Sequence, residues 1–379
     1  MERMETGFLE QETLPELIRR KMEQLRIVKA DLSDLLGKAR PTIDRLVVKP
    51  DQPFLIAIAE LFGLNRAAVL QRFLPNGEGG EENWSDLNRW PDLRAKGRIL
   101  SILPLKYMAK EGMVNPNLRV QDQISQIITE LGFGTQQELV NCLQNQSNAL
   151  FSRYNRTQSR DAYVSLVFQA HALTRNTPLK GAFERERVLQ FADRLGKASS
   201  LRSVTISYLQ EELSKRGVHF LYLPKVTRAG IRGFTMRASD GNPIVGVLRP
   251  PAYLDTFYFA LAHELHHVVS DFDQIDGEHF SAEDGPGRDL AEMEAAADAF
   301  AIEKLMPENV YHRLAAHIDS EEGLRYEAAR QGVNLSVFYG MYCLRTNLWK
   351  HYNNKRTRME DWFADEAVPS WNGNLTRPS

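Results

Sequence analysis

The sequence predicts a mainly α fold with a small β-sheet, an α+β chain, and three observations carry that reading. Apolar residues recur at three- and four-residue spacing over most of the 379 residues, the period of a helix with one buried face. Only two short runs, 218–223 and 244–248, have the β-branched and aromatic content of strands. One stretch, 75–83, reads Pro-Asn-Gly-Glu-Gly-Gly-Glu-Glu-Asn and holds no apolar residue, so it serves as a linker between separately folded parts.

The elements follow in order. Residues 19–25, 30–36, 41–46, 54–62 and 66–73 are short helices, with breaks at Gly37, Pro50, Pro53 and Gly63. Residues 84–200 stay helical in pattern, broken once at Gly132 and Gly134, and His171 stands there as an isolated surface or core histidine. The two strand-like runs come next, separated by Gly230, Gly233 and the turn Asp240-Gly241-Asn242-Pro243. Helices resume from 254 to 301 with an interruption at 271–288 and continue to about 363, before a Pro-, Gly- and Asn-containing tail. The resulting divisions are 1–75, a linker 76–83, a helical middle region 84–203, a C-terminal domain 204–366 and a tail 367–379.

Composition excludes several classes. Lys plus Arg (47) and Asp plus Glu (49) nearly cancel, for a net charge of −2, so any nucleic-acid contact must come from a local patch. Cys142 and Cys343 are the only cysteines, too few for a disulfide framework or a thiolate metal site. The N-terminus is acidic and lacks the apolar core of a secretory signal. No run approaches 18 apolar residues. A soluble, cytoplasmic protein without a membrane partner is expected.

The chemistry is concentrated at residues 263–267, His-Glu-Leu-His-His. His263, Glu264 and His267 form HExxH. Residues four apart share a helix face, so His263 and His267 can present two nitrogens to one ion. Glu264 projects beside them, where its carboxylate can take a proton from a metal-activated water. A catalytic zinc needs a third protein ligand as well as an open position. Downstream, 292–301 reads Glu-Met-Glu-Ala-Ala-Ala-Asp-Ala-Phe-Ala, followed by Leu305-Met306-Pro307. Glu294 and Asp298 share a helix face there, which makes Asp298 a candidate to orient a ligating histidine.

These motifs, HExxH, then ExxADxFA from Glu294 to Ala301, then LMP at 305–307, resemble the ImmA/IrrE metallopeptidase family, over roughly 204–347. The resemblance implies a zincin-like domain with His263, His267 and Glu294 as zinc ligands and Glu264 as general base. Glu292 is the alternative acid on the same helix, and the family register favours Glu294. The chain departs from the family at His266, where Gly is usual, and His266 could crowd the cleft, contact substrate or face solvent. His279, in the following loop, is a candidate to stabilise an oxyanion.

Nearer the N-terminus, residues 30–46 have the outline of a helix-turn-helix. Gly37 suits the left-handed position that ends a helix, Pro41 suits the first turn of the next, and Leu32, Leu35, Leu36, Ile43 and Leu46 would pack the pair together. The stretch 17–70 resembles Cro/XRE-type DNA-binding domains, which implies Arg40, Thr42 and Arg45 at the groove and Lys29 and Lys38 at phosphates. Between Pro15 and Pro50 there are nine basic and five acidic residues, a local basic excess. Val47-Val48-Lys49-Pro50 departs from the polar, glycine-containing turn of that family, which leaves a domain that binds protein rather than DNA as the alternative.

Together the resemblances imply a zinc endopeptidase that makes a site-specific cut in a regulator, typically a repressor or antitoxin-like partner, in a stress or mobile-element response. Operator DNA is the second expected partner, and a homodimer is compatible with the reading. The alternative is a transcriptional regulator or antitoxin whose peptidase fold serves as a non-cleaving sensor or scaffold.

Overall fold

A computed structural model describes residues 12–74, 89–144, 149–153, 160–175, 177–224, 231–248, 252–273, 288–363, 368–369 and 375–376. The linker at 75–83 and the loop carrying His279 lie outside the described residues, as does most of the tail. The chain divides into two compact units, 1–146 and 147–379.

The first unit is all helical where described. Its helices are α1 (Leu14–Gln24), α2 (Lys29–Leu36), α3 (Arg40–Val48), α4 (Gln52–Phe62), α5 (Arg66–Phe73), α6 (Arg89–Ile102), α7 (Leu105–Lys110), α8 (Val120–Glu130) and α9 (Gln136–Gln144). The first five overlap the five expected segments, four of them to within two residues at each end, while α1 starts five residues before the expected position 19. Gly37 ends α2 at φ 61°, a conformation that costs a residue with a Cβ about 1 kcal/mol or more, and Pro41 occupies the first turn of α3. Leu32, Leu35, Leu36, Ile43 and Leu46 are all buried. Every residue of α4 from Phe54 to Phe62 is buried, as expected of a helix apolar all round. Helices α5 and α6 both pack on α4, and α8 packs on α2. The one acid on α4, Glu60, is 1% exposed and is held by Arg66 and by Arg94, whose Nε lies 2.7 Å away.

The second unit contains β1 (Ala149–Arg153), α10 (Arg160–Arg175), α11 (Arg185–Ala192), α12 (Leu195–Ala198), α13 (Ile206–Ser214), β2 (His219–Leu223), β3 (Ile231–Arg237), β4 (Pro243–Leu248), α14 (Leu254–His266), α15 (Arg288–Leu305), α16 (Glu308–Ala315), α17 (Glu321–Gln331), α18 (Leu335–Thr346), α19 (Trp349–Tyr352) and α20 (Met359–Trp362). The sheet order is β1-β3-β4-β2. β2 runs parallel to β4, and β3 is antiparallel to both β4 and β1.

Two strands depart from the sequence expectation. β3 includes Gly233, which read as punctuation between strands. β1 falls inside a stretch whose pattern reads as helix; its five residues carry no period-two alternation, and it is pairing along β3 that orders them. α14 is the central helix. Its Phe257, Tyr258, Leu261 and Leu265 are fully buried in a core shared with Val245, Val247, Leu305 and Phe338, and it packs on β3, β4, α15 and α18. Its start is fixed by Asp255, whose carboxylate receives Arg356 Nη2 at 2.7 Å, both side chains being almost wholly buried.

Candidate metal centre

α14 is apolar on nearly all sides, so it runs through the middle of the unit and brings its C-terminal histidines into the interior. The helix then widens into one π-helical turn at His267–Asp271, a local distortion that often marks functional sites. His263 and His267 are 3% and 0% exposed, and their Nε2 atoms face each other at 3.2 Å.

The second helix of the site is α15, which packs along α14. It is alanine-rich where it approaches, with Ala297 and Ala301 fully buried, and short side chains let the two helices come close. Glu294 on this helix places Oε2 3.4 Å from His263 Nε2 and Oε1 3.8 Å from His267 Nε2. One ligand atom from each of His263, His267 and Glu294 falls within a 4.8 Å set. The alternative acid, Glu292, is exposed.

The outer nitrogens are engaged as well. His263 Nδ1 donates to Asp298 at 2.9 Å, and His267 Nδ1 donates to Asp271 at 2.7 Å. Both bonds leave Nε2 as the inward-facing atom, which is how neighbouring carboxylates fix a ligating imidazole. Asp271 was not singled out from the sequence, although its position four residues after His267 was a usable signal.

The donor set fits a zinc ion. Two donors about 2.1 Å from one tetrahedral ion lie roughly 3.4 Å apart, close to the three separations observed here. Glu294 Oε1 is buried with no hydrogen-bond partner among the described residues, an arrangement that is costly without a cation nearby. The surroundings also favour positive charge. Burial pulls the His263 imidazole down, but hydrogen bonds to Asp298 and Glu294, together with the charge of Glu264, raise its pKa to about 10.

Glu264 is fully buried. Thr235 Oγ1 on β3 lies 2.9 Å from its Oε2 and 3.0 Å from its carbonyl oxygen. A Cβ placed at Gly233 would come within 2.7 Å of Glu264 Oε1. Thr235 carries no signal in the sequence and Gly233 reads there only as a break, because strand-to-helix register across the core leaves no local pattern. His266 does not join the metal donors. Its ring packs on Phe300 with centroids 5.1 Å apart, and burial holds its pKa below the usual imidazole range. His279 lies outside the described residues.

The DNA-binding candidates belong to the first unit. Arg40 and Arg45 on α3 are exposed, while Thr42 and Lys38 are partly covered. Lys29 forms an ion pair with Asp44 on the same helix as the arginines, so part of the basic excess is neutralised locally.

Two imidazoles and a carboxylate converging on one point, beside a further buried carboxylate, form a centre of metallopeptidase type. Residues 251–341, about a quarter of the chain, match the peptidase family model described as the IrrE N-terminal-like domain. That match spans α14, its π turn and α15, the elements that carry the converging donors, and supports an ImmA/IrrE-type peptidase domain there. No curated protein and no solved structure matches the chain. Among the described residues, no helix is long and apolar enough to cross a membrane.

Proposed function

We propose that the second unit is a zinc-dependent endopeptidase that makes a site-specific cut in a regulatory protein, a repressor or antitoxin-like partner. We further propose that a DNA-reading helix-turn-helix at α2 and α3 couples that cut to transcription. The observation that carries the peptidase reading is the convergence of His263, His267 and Glu294, with Glu264 directly beside them. In this reading the three converging side chains hold the ion. Zinc, when bound, supplies Lewis acidity and brings a water towards neutral pKa. Asp298 and Asp271 keep both imidazoles aimed inward. Glu264 accepts the proton of the attacking water and returns it to the leaving amine, a transfer worth roughly 10²–10⁴ in rate. Arg40, Thr42 and Arg45 would contact bases, with Lys38 and Lys29 at phosphates once Lys29 leaves Asp44.

The test uses full-length Glu264→Gln as bait to capture a partner from cells, which is then offered to the wild type with and without chelator. Cleavage by the zinc-loaded wild type is expected, with a loss of at least about 100-fold in the variant and none after chelation. Equal turnover by Glu264→Gln would overturn the mechanism. Stoichiometric zinc without cleavage of the captured partner, together with tight salt-dependent operator binding, would instead favour a non-cleaving regulator.

A further inference from the structure

We infer that Thr235 and Gly233 of β3 are positioning residues for the Glu264 carboxylate, so that the sheet, and not the metal-bearing helices alone, sets where the general base points. This inference rests on the peptidase reading of Glu264.

The argument starts from the strand. Residues 233 and 235 lie two apart in β3 and project from the same face of the sheet, the face on which α14 packs. Their β4 partners are Val247 and Val245, both fully buried. Thr235 is itself fully buried in this apolar setting, where valine, of nearly the same shape, would avoid the cost of burying a hydroxyl. The hydroxyl therefore calls for a partner, and both its acceptors belong to Glu264, the carboxylate Oε2 at 2.9 Å and the main-chain oxygen at 3.0 Å. A buried carboxylate is held in one rotamer by such a donor. Gly233 supplies the complementary feature. A side chain there would meet Glu264 Oε1 at 2.7 Å and Cγ at 2.8 Å, well inside normal contact. The face of β3 thus offers an opening at 233 and a donor at 235, and the carboxylate of Glu264 occupies both. Asp298 and Asp271 act on the imidazoles, and β3 acts on the base.

The experiment titrates acetohydroxamate, a small acid that binds zinc and hands a proton to an adjacent carboxylate, into the zinc-loaded full-length protein by calorimetry. Zinc affinity is measured separately for each variant. Thr235→Val is expected to weaken acetohydroxamate about tenfold, the value of one hydrogen bond to a charged group, with zinc affinity within about twofold of wild type. Thr235→Ser should restore binding to within about threefold, because it keeps the donor. Gly233→Ala should reproduce the loss by displacing the carboxylate, and it tests the idea independently should Thr235→Val fold poorly. Wild-type binding by Thr235→Val, alongside weakened binding by Glu264→Gln, would overturn the inference. A loss in Thr235→Val that Thr235→Ser fails to rescue would also overturn it, by assigning the effect to packing. If Glu264→Gln binds as the wild type does, the role of Glu264 as proton acceptor fails first and the inference falls with it.

Discussion

His171 shows how a single side chain can tie stability to pH. It lies within α10, is 8% exposed, and its Nδ1 has no hydrogen-bond partner among the described residues. Burial pushes its pKa down to about 4. In the unfolded chain an ordinary histidine titrates near pH 6.5, so between those values only the unfolded state binds the proton. The contribution of this residue is therefore intact above about pH 6.5 and is lost as the pH falls towards 4. The full loss is at most about 3 kcal/mol. Urea unfolding at pH 7 and pH 4.5 should show a larger drop for the wild type than for His171→Phe, and equal drops would refute the assignment. His171 has no place in the metal centre, so the measurement reads stability free of catalysis.

Among the elements, α14 is the one on which most depends, and it is clasped at one end while it bears chemistry at the other. Arg356 stacks over Tyr253 with its guanidinium carbon 4.0 Å from the ring centroid, and it grips Asp255 in a nearly water-free pair. Replacing Arg356 with Met leaves Asp255 buried and unpaired, which should cost about 3–5 kcal/mol. Pairing it with Asp255→Leu should recover most of that loss; guanidinium unfolding of the metal-free protein measures both. The helices and the HExxH faces could be read from the sequence because their information is local: a 3.6-residue period, a glycine or proline at most breaks, and histidines four apart. The third candidate donor was legible only through the resemblance, whose register favours Glu294 over Glu292 on the second helix. What stayed hidden is non-local. β1 is held by backbone pairing to a partner 80 or so residues away, and β3 contains a glycine that local rules read as a break. That glycine is there because Glu264 needs the room, and the sequence around Gly233 holds no trace of Glu264.

For the molecule as a whole, the division falls after residue 146, with one unit entirely helical where described and the other built around a sheet and a central helix. Within the second unit the proposed zinc ligands come from two helices, and Glu294 follows His267 by 27 residues in the chain. In polymer terms, an ion held by all three side chains closes a ring. A cross-link over 27 residues removes about 3.5 kcal/mol of chain entropy from the unfolded ensemble, provided the ion stays bound there. For a unit of this size that corresponds to a rise on the order of 10 °C in melting temperature. Calorimetric scans with zinc and with chelator should differ by about that much in the wild type. In Glu294→Ala, whose remaining two histidines sit on one helix and enclose only a single turn, the difference should largely vanish, even where some zinc is retained. The same ion that would activate a water would then also act as a removable staple, making the persistence of the folded peptidase unit a function of metal supply.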